Sequence, residues 1–184
     1  MATDPNKQKL FAEGVKLHEL GIQGDKNAVK KAYDIFKKIH ETDPQDLVSE
    51  AYLGSVTSLL GRDSIDPNQK LKLALQGLKI LDKVILKDLQ NIEIRSIRAY
   101  VNFNLPEMFF HRTASAIEDF NTLVSLYERD SKVFTKEFYC QVLYDLGVAY
   151  KRLGKKEQTQ GVWAKLLQVT KDPKIIERLK QEKL

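Results

Sequence analysis

The three histidines and the single cysteine are the residues of this sequence whose side chains most readily bind metals or act in catalysis. Zinc and iron sites need several ligands that converge on one point, yet His18, His40 and His111 stand far apart without a paired ligand spacing. Cys140 lies in an apolar stretch, which is typical of a small core residue rather than a nucleophile. We therefore expect no metal site and no catalytic cysteine.

Other catalytic patterns are also missing from the sequence. It contains no hydrolase elbow of the type Gly-x-Ser-x-Gly, and its glycines do not form a phosphate-binding loop after a strand. The neighbouring carboxylates Glu118 and Asp119 point about 100° apart on a helix, so they cannot flank one glycosidic bond. The sequence predicts a protein that is not an enzyme, with no catalytic residue and no cofactor.

The composition is that of a globular protein. Of the 184 residues 42% are apolar, and only nine are glycine and five are proline, so a disordered or disulfide-stapled class is disfavoured. We expect one domain over residues 1–184.

The sequence also bears on the location of the protein. It has a lone cysteine, an N-terminal segment 1–7 without an apolar core, and no apolar run of about 18 residues. These features predict a cytoplasmic protein that is not integral to a membrane.

Helical signals follow one another along the whole chain. Apolar residues recur at spacings of three and four, and no strand alternation competes with them. Aspartate before proline is typical of a helix start, because the carboxylate accepts a first-turn N–H bond and proline tolerates the first helical position. Such pairs occur at Asp4-Pro5, Asp43-Pro44, Asp66-Pro67 and Asp172-Pro173. The sequence predicts an all-α fold with helices over residues 5–20, 27–42, 45–60, 67–88, 91–104, 112–129, 132–153, 156–170 and 173–183.

Three pairs of glycines share a spacing of seven residues, which suggests a repeat. The pairs are Gly14 with Gly21, Gly54 with Gly61, and Gly147 with Gly154. We expect the first glycine of each pair to let a partner helix approach closely. The second is expected to end its helix in a left-handed conformation, which costs glycine no Cβ strain.

Each glycine-containing helix is followed by one with a small residue and then a large apolar residue four positions on, as in Ala32 with Phe36 and Thr159 with Trp163. This order resembles the tetratricopeptide repeat. The match is closest at Leu143, Leu146, Gly147, Tyr150, Gly154 and Trp163. The resemblance implies a right-handed stack of about four antiparallel hairpins, at residues 5–42, 45–88, 91–129 and 132–170, closed by a C-terminal capping helix at 173–183.

The repeats are unequal, and the third departs most from the pattern. Arg98 stands where its first glycine should be, and we expect it to form a buried or half-buried ion pair with Glu118 or Asp119. Segments of this unit, around Arg95 and around Phe109-Phe110, are also similar to a group of bacterial repeat proteins to which no activity is assigned.

The resemblance further implies a concave binding groove lined by the first helix of each hairpin. A well-known chaperone-binding branch of the family grips a terminal carboxylate with lysine and asparagine, but apolar Phe11 and Val15 stand at the matching positions, so that clamp is not expected. The groove predicted from the repeat positions contains Phe11, Val15, His18, Ser55, Ser58, Arg95, Asn102, Gln141, Tyr144 and Lys151.

Two pairs in this predicted groove lie seven residues apart, Arg95 with Asn102 and Tyr144 with Lys151, and so share a helical face. Each pair is suited to hold a carboxylate. The alternative interpretation is that this face is only exposed to solvent and binds no partner. The predicted function is a non-enzymatic scaffold or adaptor that binds a protein or peptide.

The net charge of +5 is concentrated at one end of the chain, since residues 130–184 carry twelve basic and seven acidic side chains. An acidic partner is therefore expected there first. Nucleic-acid binding by this basic end is the less favoured alternative and stays open. The loop with Phe109 and Phe110 is a second candidate contact surface, but such a run more often folds back and caps a hairpin core, which is the favoured interpretation. The sequence also allows a homo-oligomer.

Overall fold

The computed structural model describes residues 4–182, and within them the chain forms helices and no strand. The predicted all-α class is confirmed. In chain order the helices are α1 (Pro5–Ile22), α2 (Lys26–Thr42), α3 (Leu47–Asp63), α4 (Pro67–Ile85), α5 (Ile92–Asn104), α6 (Glu107–Phe110), α7 (Thr113–Arg129), α8 (Lys136–Arg152), α9 (Lys156–Val169) and α10 (Pro173–Gln181).

Two helices differ from the prediction by more than a few residues. α8 begins at Lys136 instead of residue 132, because the Thr135 hydroxyl accepts the N–H of Phe138 and sets the helix start there. The short α6 was not predicted, since one turn carries no recognisable apolar period. It is followed by His111, whose φ of 51° lies in the left-handed region. The last residue of the predicted helix 173–183 lies outside the described residues.

Three of the four Asp-Pro pairs begin helices as predicted. Asp4, Asp66 and Asp172 each accept a first-turn N–H bond, at 2.9, 2.9 and 2.8 Å. The prediction for Asp43 is wrong: this residue follows the end of α2, and α3 begins after Asp46, whose carboxylate accepts the N–H of Ser49.

Asp25 provides a direct test of the capping argument. Its Oδ1 atom accepts the N–H groups of Asn27 and Ala28, both at 2.9 Å, at the start of α2. We expect Asp25→Ala to lower the free energy of unfolding by about 1 kcal/mol. Asp34→Ala, at an exposed position in the middle of the same helix, should change it by less than about 0.5 kcal/mol. Urea denaturation followed by circular dichroism compares the two variants, and equal losses would contradict the assignment of Asp25 as the cap.

The chain divides into two compact units between Val101 and Asn102, inside α5. Unit 1 contains α1 to α4 and most of α5, and unit 2 contains the end of α5 and α6 to α10. The predicted hairpins 5–42 and 45–88 correspond to α1 with α2 and α3 with α4, and the hairpin 132–170 to α8 with α9. A single domain over residues 1–184 stays a prediction.

The core of unit 1 is built where these hairpins pack. In one cluster the rings of Phe36 and Tyr52 are stacked with centroids 4.9 Å apart, and Phe36 is fully buried. A second cluster joins α4 to α5 through Leu81 and Ile94, both fully buried. Burial of each large apolar side chain contributes about 1.5–3 kcal/mol, so these clusters hold the helix pairs together.

The first glycines of the pairs in unit 1 allow close helix contact, as predicted. A Cβ added at Gly14 would lie 2.9 Å from one ring atom of Phe36, and one at Gly54 would lie 3.1 Å from the carbonyl oxygen of Gly77. The prediction for the second glycines is wrong here. Gly21 and Gly61 lie within α1 and α3 without a positive φ, and each faces the following helix closely.

Unit 2 contains the glycine pair that follows the predicted pattern at both positions. Gly147 packs directly against the indole of Trp163, and Gly154 has a φ of 70° just after α8. Leu146 and Trp163 are buried, and the Tyr150 hydroxyl accepts a hydrogen bond from Asn121 of α7. These residues join α7, α8 and α9.

Candidate functional site

The predicted groove residues of α1 and α3 lie in or beside the core of unit 1. The ring of Phe11 makes edge contacts with Phe36 and Tyr52, with centroids 5.9 and 5.6 Å apart. The Nε2 atom of His18 is 2.8 Å from the Ser55 hydroxyl, and both residues are buried. These side chains therefore join α1 to α2 and α3, and a partner-binding role for them stays a prediction.

His18 is held in its neutral form by this environment. Its ring lies edge-on to Tyr52 at 5.1 Å, and burial lowers the pKa of His18 to about 4. A neutral imidazole forms the hydrogen bond with Ser55 without the cost of burying a charge.

The other predicted groove residues of unit 1 also contact neighbouring chain segments. Val15 packs against the Phe36 cluster, and the Ser58 hydroxyl donates to the carbonyl of Gly54 within α3. Arg95 is buried and donates to the carbonyl of Leu89. Side chains engaged in this way position the helices of unit 1.

Arg98, which replaces a repeat glycine, forms an ion pair inside unit 1. Its Nε atom lies 3.0 Å from Oδ1 of Asp82 on α4, and its side chain is mostly buried. The pair connects α5 to α4. The predicted partners Glu118 and Asp119 belong to unit 2.

In unit 2 two residues of the repeat pattern, Gly147 and Trp163, position the polar face of α8. Because Gly147 has no side chain, the Trp163 indole reaches α8, and its Nε1–H donates to the carbonyl of Tyr144 at 3.2 Å. The rings of Tyr144 and Trp163 are stacked with centroids 6.4 Å apart. Trp163 thus fixes the backbone and ring of Tyr144.

The face of α8 that contains Gln141, Tyr144 and Lys151 contacts α10 and the residue after it, and we call it the α8 face. The Arg178 guanidinium lies 3.9 Å above the Tyr144 ring and donates to Oε1 of Gln141 at 3.0 Å. The Tyr144 hydroxyl donates to one carboxylate oxygen of Glu182 at 2.8 Å, and the Lys151 ammonium lies 3.1 Å from the other. Lys151 also donates to the backbone carbonyl of Glu182.

The protonation states of these groups suit the contact. Burial raises the pKa of Glu182, but hydrogen bonds from Tyr144 and Lys151 outweigh it, so the net pKa lies below its ordinary value. Burial, together with the hydrogen bond to Glu182, raises the pKa of Tyr144. At neutral pH an ionised carboxylate is therefore held by a phenol and an ammonium group.

The sequence prediction included Gln141, Tyr144 and Lys151 but not Arg178 and Glu182, which contact them. The spacing of seven between Tyr144 and Lys151 predicted a pair suited to a carboxylate, and in the structure the pair contacts one from the same chain. The signal that could have found the missing residues is the polar pattern of α10. Its Arg178 and the following Glu182 lie four positions apart and so share one helical face.

The remaining candidates lie in unit 2. Asn102 is buried, and its Oδ1 accepts from the Arg112 guanidinium at 2.8 Å. Met108 and Phe109 of α6 are 74% and 70% exposed, so the favoured interpretation, that Phe109 caps a core, is wrong. Phe110 beside them is half-buried. α6 therefore presents two apolar side chains to solvent.

Cys140 is a core residue, as expected. It is 3% exposed, and burial raises the pKa of its thiol, which favours the less nucleophilic protonated form. Among residues 4–182 no group of three or more histidine, cysteine, aspartate or glutamate side chains is placed to hold a metal ion. The helices of this same part of the chain are each too short or too polar to cross a lipid bilayer.

Comparisons with known proteins identify the class of fold. No protein-family model and no curated protein sequence matches the chain. The crystal structure of MamA is similar at a TM-score of 0.54 and 19% identity, over 79% of this chain and 70% of MamA. The crystal structure of a thermophilic TPR protein from Thermus thermophilus has a TM-score of 0.47 and 16% identity over 95% of this chain and 97% of that protein.

The chain is an all-α protein of the helical-repeat class. More particularly, its fold is tetratricopeptide-like, as the resemblance of its glycine and tryptophan positions implied. The Gly147–Trp163 contact is the structural counterpart of that sequence pattern. At 19% identity the likeness to MamA is one of fold alone.

Proposed function

We propose that this protein is a non-enzymatic scaffold or adaptor that binds a protein or peptide partner through the first helices of its hairpins. The observation that supports the proposal is the contact of Tyr144 and Lys151 with the Glu182 carboxylate. It demonstrates a geometry in which these two donors hold an acidic group. A helical-repeat fold provides a preformed surface of this kind, because neighbouring hairpins position its side chains.

We also propose that the protein is cytoplasmic and that its partner is acidic. The free, buried Cys140 suits the reducing cytoplasm. An acidic segment is the favoured ligand because the C-terminal end of the chain carries the excess of positive charge.

Nucleic-acid binding by the basic end has less support. Lys151 is paired with Glu182, Lys165 with Glu128 at 2.6 Å, and Arg152 donates to the carbonyl of Phe103. Side chains that are engaged in this way are not free to neutralise phosphates unless those contacts break.

Affinity capture from native cytoplasm tests the proposed function. Tyr144→Phe combined with Lys151→Ala removes both donors, and we expect it to recover about tenfold less of the partner than the unaltered protein. Lys156→Ala, an exposed lysine at the start of α9, serves as the matched loss of charge and should leave capture unchanged. Phe109→Ser examines the exposed α6 as the other candidate surface. Unaltered recovery by the double variant would exclude the α8 face as the binding site.

A further inference from the structure

Polar contacts hold the helix α10 on the α8 face, and its apolar residues are only half-buried. Its residues from Pro173 to Gln181 include none that is fully buried. The polar contacts that join it to α8 include those of Arg178 with Gln141 and Tyr144, and of Glu182 beside its end. The apolar residues Ile175, Ile176 and Leu179 are half-buried. An element with few buried apolar contacts opens at low free-energy cost.

Both segments that meet at this contact carry a net positive charge. Residues 130–171 carry eight basic and four acidic side chains, and α10 itself carries three basic and one acidic. At the α8 face the Glu182 carboxylate accepts a hydrogen bond from Tyr144 and pairs with Lys151, and Asp145 on α8 accepts one from Gln141 at 2.7 Å. The net positive charge of both segments favours a helix with more acidic residues over α10 at this end of the chain.

The α8 face presents a defined set of hydrogen-bonding groups once α10 moves away. The amide of Gln141, the phenol of Tyr144 and the ammonium of Lys151 follow one another at spacings of three and seven residues along one side of α8. Because Trp163 holds the backbone of Tyr144, the face stays ordered without α10. A phenol and an ammonium group together select a carboxylate.

We propose that the α8 face binds an acidic helical segment of a protein partner and that α10 occupies this face in competition with it. This inference rests on the proposed function and adds to it the chemistry of the ligand and the control of access. The three residues from Thr170 to Asp172 between α9 and α10 act as the hinge. Glu182 supplies in cis the carboxylate that the partner supplies in trans.

A synthetic peptide provides the probe. It has the sequence of residues 172–182 with Lys174→Glu and Lys180→Glu, so that it keeps Glu182 but is acidic. Its affinity is measured by fluorescence anisotropy for the full chain and for the full-length variant Glu182→Ala, which lacks the carboxylate that contacts Tyr144 and Lys151. If α10 covers the face about nine-tenths of the time, Glu182→Ala should bind the peptide about tenfold more tightly than the unaltered chain.

Two further variants make the measurement specific. Glu177→Ala is the matched control, because the Glu177 carboxylate lies 3.9 Å from Lys180 within α10 and both side chains are exposed. It should bind the peptide as weakly as the unaltered chain. Adding Tyr144→Phe and Lys151→Ala to Glu182→Ala should abolish the gain in affinity, since the donors for the peptide carboxylate are then lost.

Each contrary result has a distinct meaning. Equal affinities of the unaltered chain and Glu182→Ala would overturn the competition by α10 while leaving the proposed function intact. Failure of the peptide to bind either protein would overturn the proposal that the α8 face binds an acidic helix, whatever the capture experiment recovers. Loss of folding in Glu182→Ala, seen by circular dichroism, would make α10 a structural cap and overturn the proposal. A dimeric mass for Glu182→Ala by light scattering would assign the face to α10 of a second copy instead.

Discussion

Gly147→Ala should lower the free energy of unfolding by about 3 kcal/mol, the upper end of the usual cost of overpacking. A Cβ at this position would lie 1.9 Å from Nε1 of Trp163 and 2.4 Å from a second atom of the ring. The indole cannot bend away, because it is rigid and its N–H is bonded to the carbonyl of Tyr144. Either α9 must move away from α8 or Trp163 must leave a buried site, and both cost packing energy.

Gly161→Ala is the matched control for this variant. Gly161 lies on the exposed side of α9, and a Cβ there would meet nothing within 4 Å. Alanine is favoured over glycine inside a helix, so we expect this change to raise stability by about 0.5–1 kcal/mol. Urea denaturation with tryptophan fluorescence follows both variants, because Trp163 is the only tryptophan of the sequence. If Gly147→Ala unfolds at the same urea concentration as the unaltered protein, α8 and α9 do not pack closely at Gly147.

The fold was largely predictable because local signals and packing agree along the chain. The spacing of seven between glycines marks helix contacts, and at Gly147 the large residue of the next helix, Trp163, lies directly against the first glycine. Left-handed glycines were harder to assign. In the first repeat the positive φ of 109° belongs to Gly24, because α1 continues beyond Gly21 to Ile22. Helix propensity alone does not show which of two nearby glycines adopts the left-handed conformation.

The contacts of the predicted site residues were predictable only in part, because a helical face does not reveal which element covers it. The seven-residue spacing correctly placed Tyr144 and Lys151 on one face, but α10 lies against them. The same reasoning placed Phe11 and His18 in a groove, whereas aromatic packing and the bond to Ser55 engage them inside unit 1. Such contacts depend on residues far away in the sequence, which periodicity cannot identify.

The buried His18 makes the stability of this protein sensitive to pH. Its pKa of about 4 in the folded protein lies below the ordinary value of 6.5, which applies once the chain unfolds. Between these two values the unfolded chain binds a proton that the folded protein does not, so acid favours unfolding. The stability associated with His18 is complete above pH 6.5 and is lost as the pH falls toward 4. At about 1.4 kcal/mol per pKa unit the loss approaches about 3 kcal/mol.

Urea denaturation at a series of pH values from 7.5 to 4.5 measures this loss. His18→Gln keeps a polar atom near the Ser55 hydroxyl but does not titrate, so its stability should vary much less over this range. His111→Gln, at an exposed side chain, should retain the full pH dependence of the unaltered protein. The lowered pKa values of Asp43, Glu128 and Glu182 affect stability mainly below pH 4.5, because that part of their stabilisation is lost only as those carboxylates become protonated. The same pH dependence in His18→Gln as in the unaltered protein would mean that the imidazole of His18 is not buried in its neutral form.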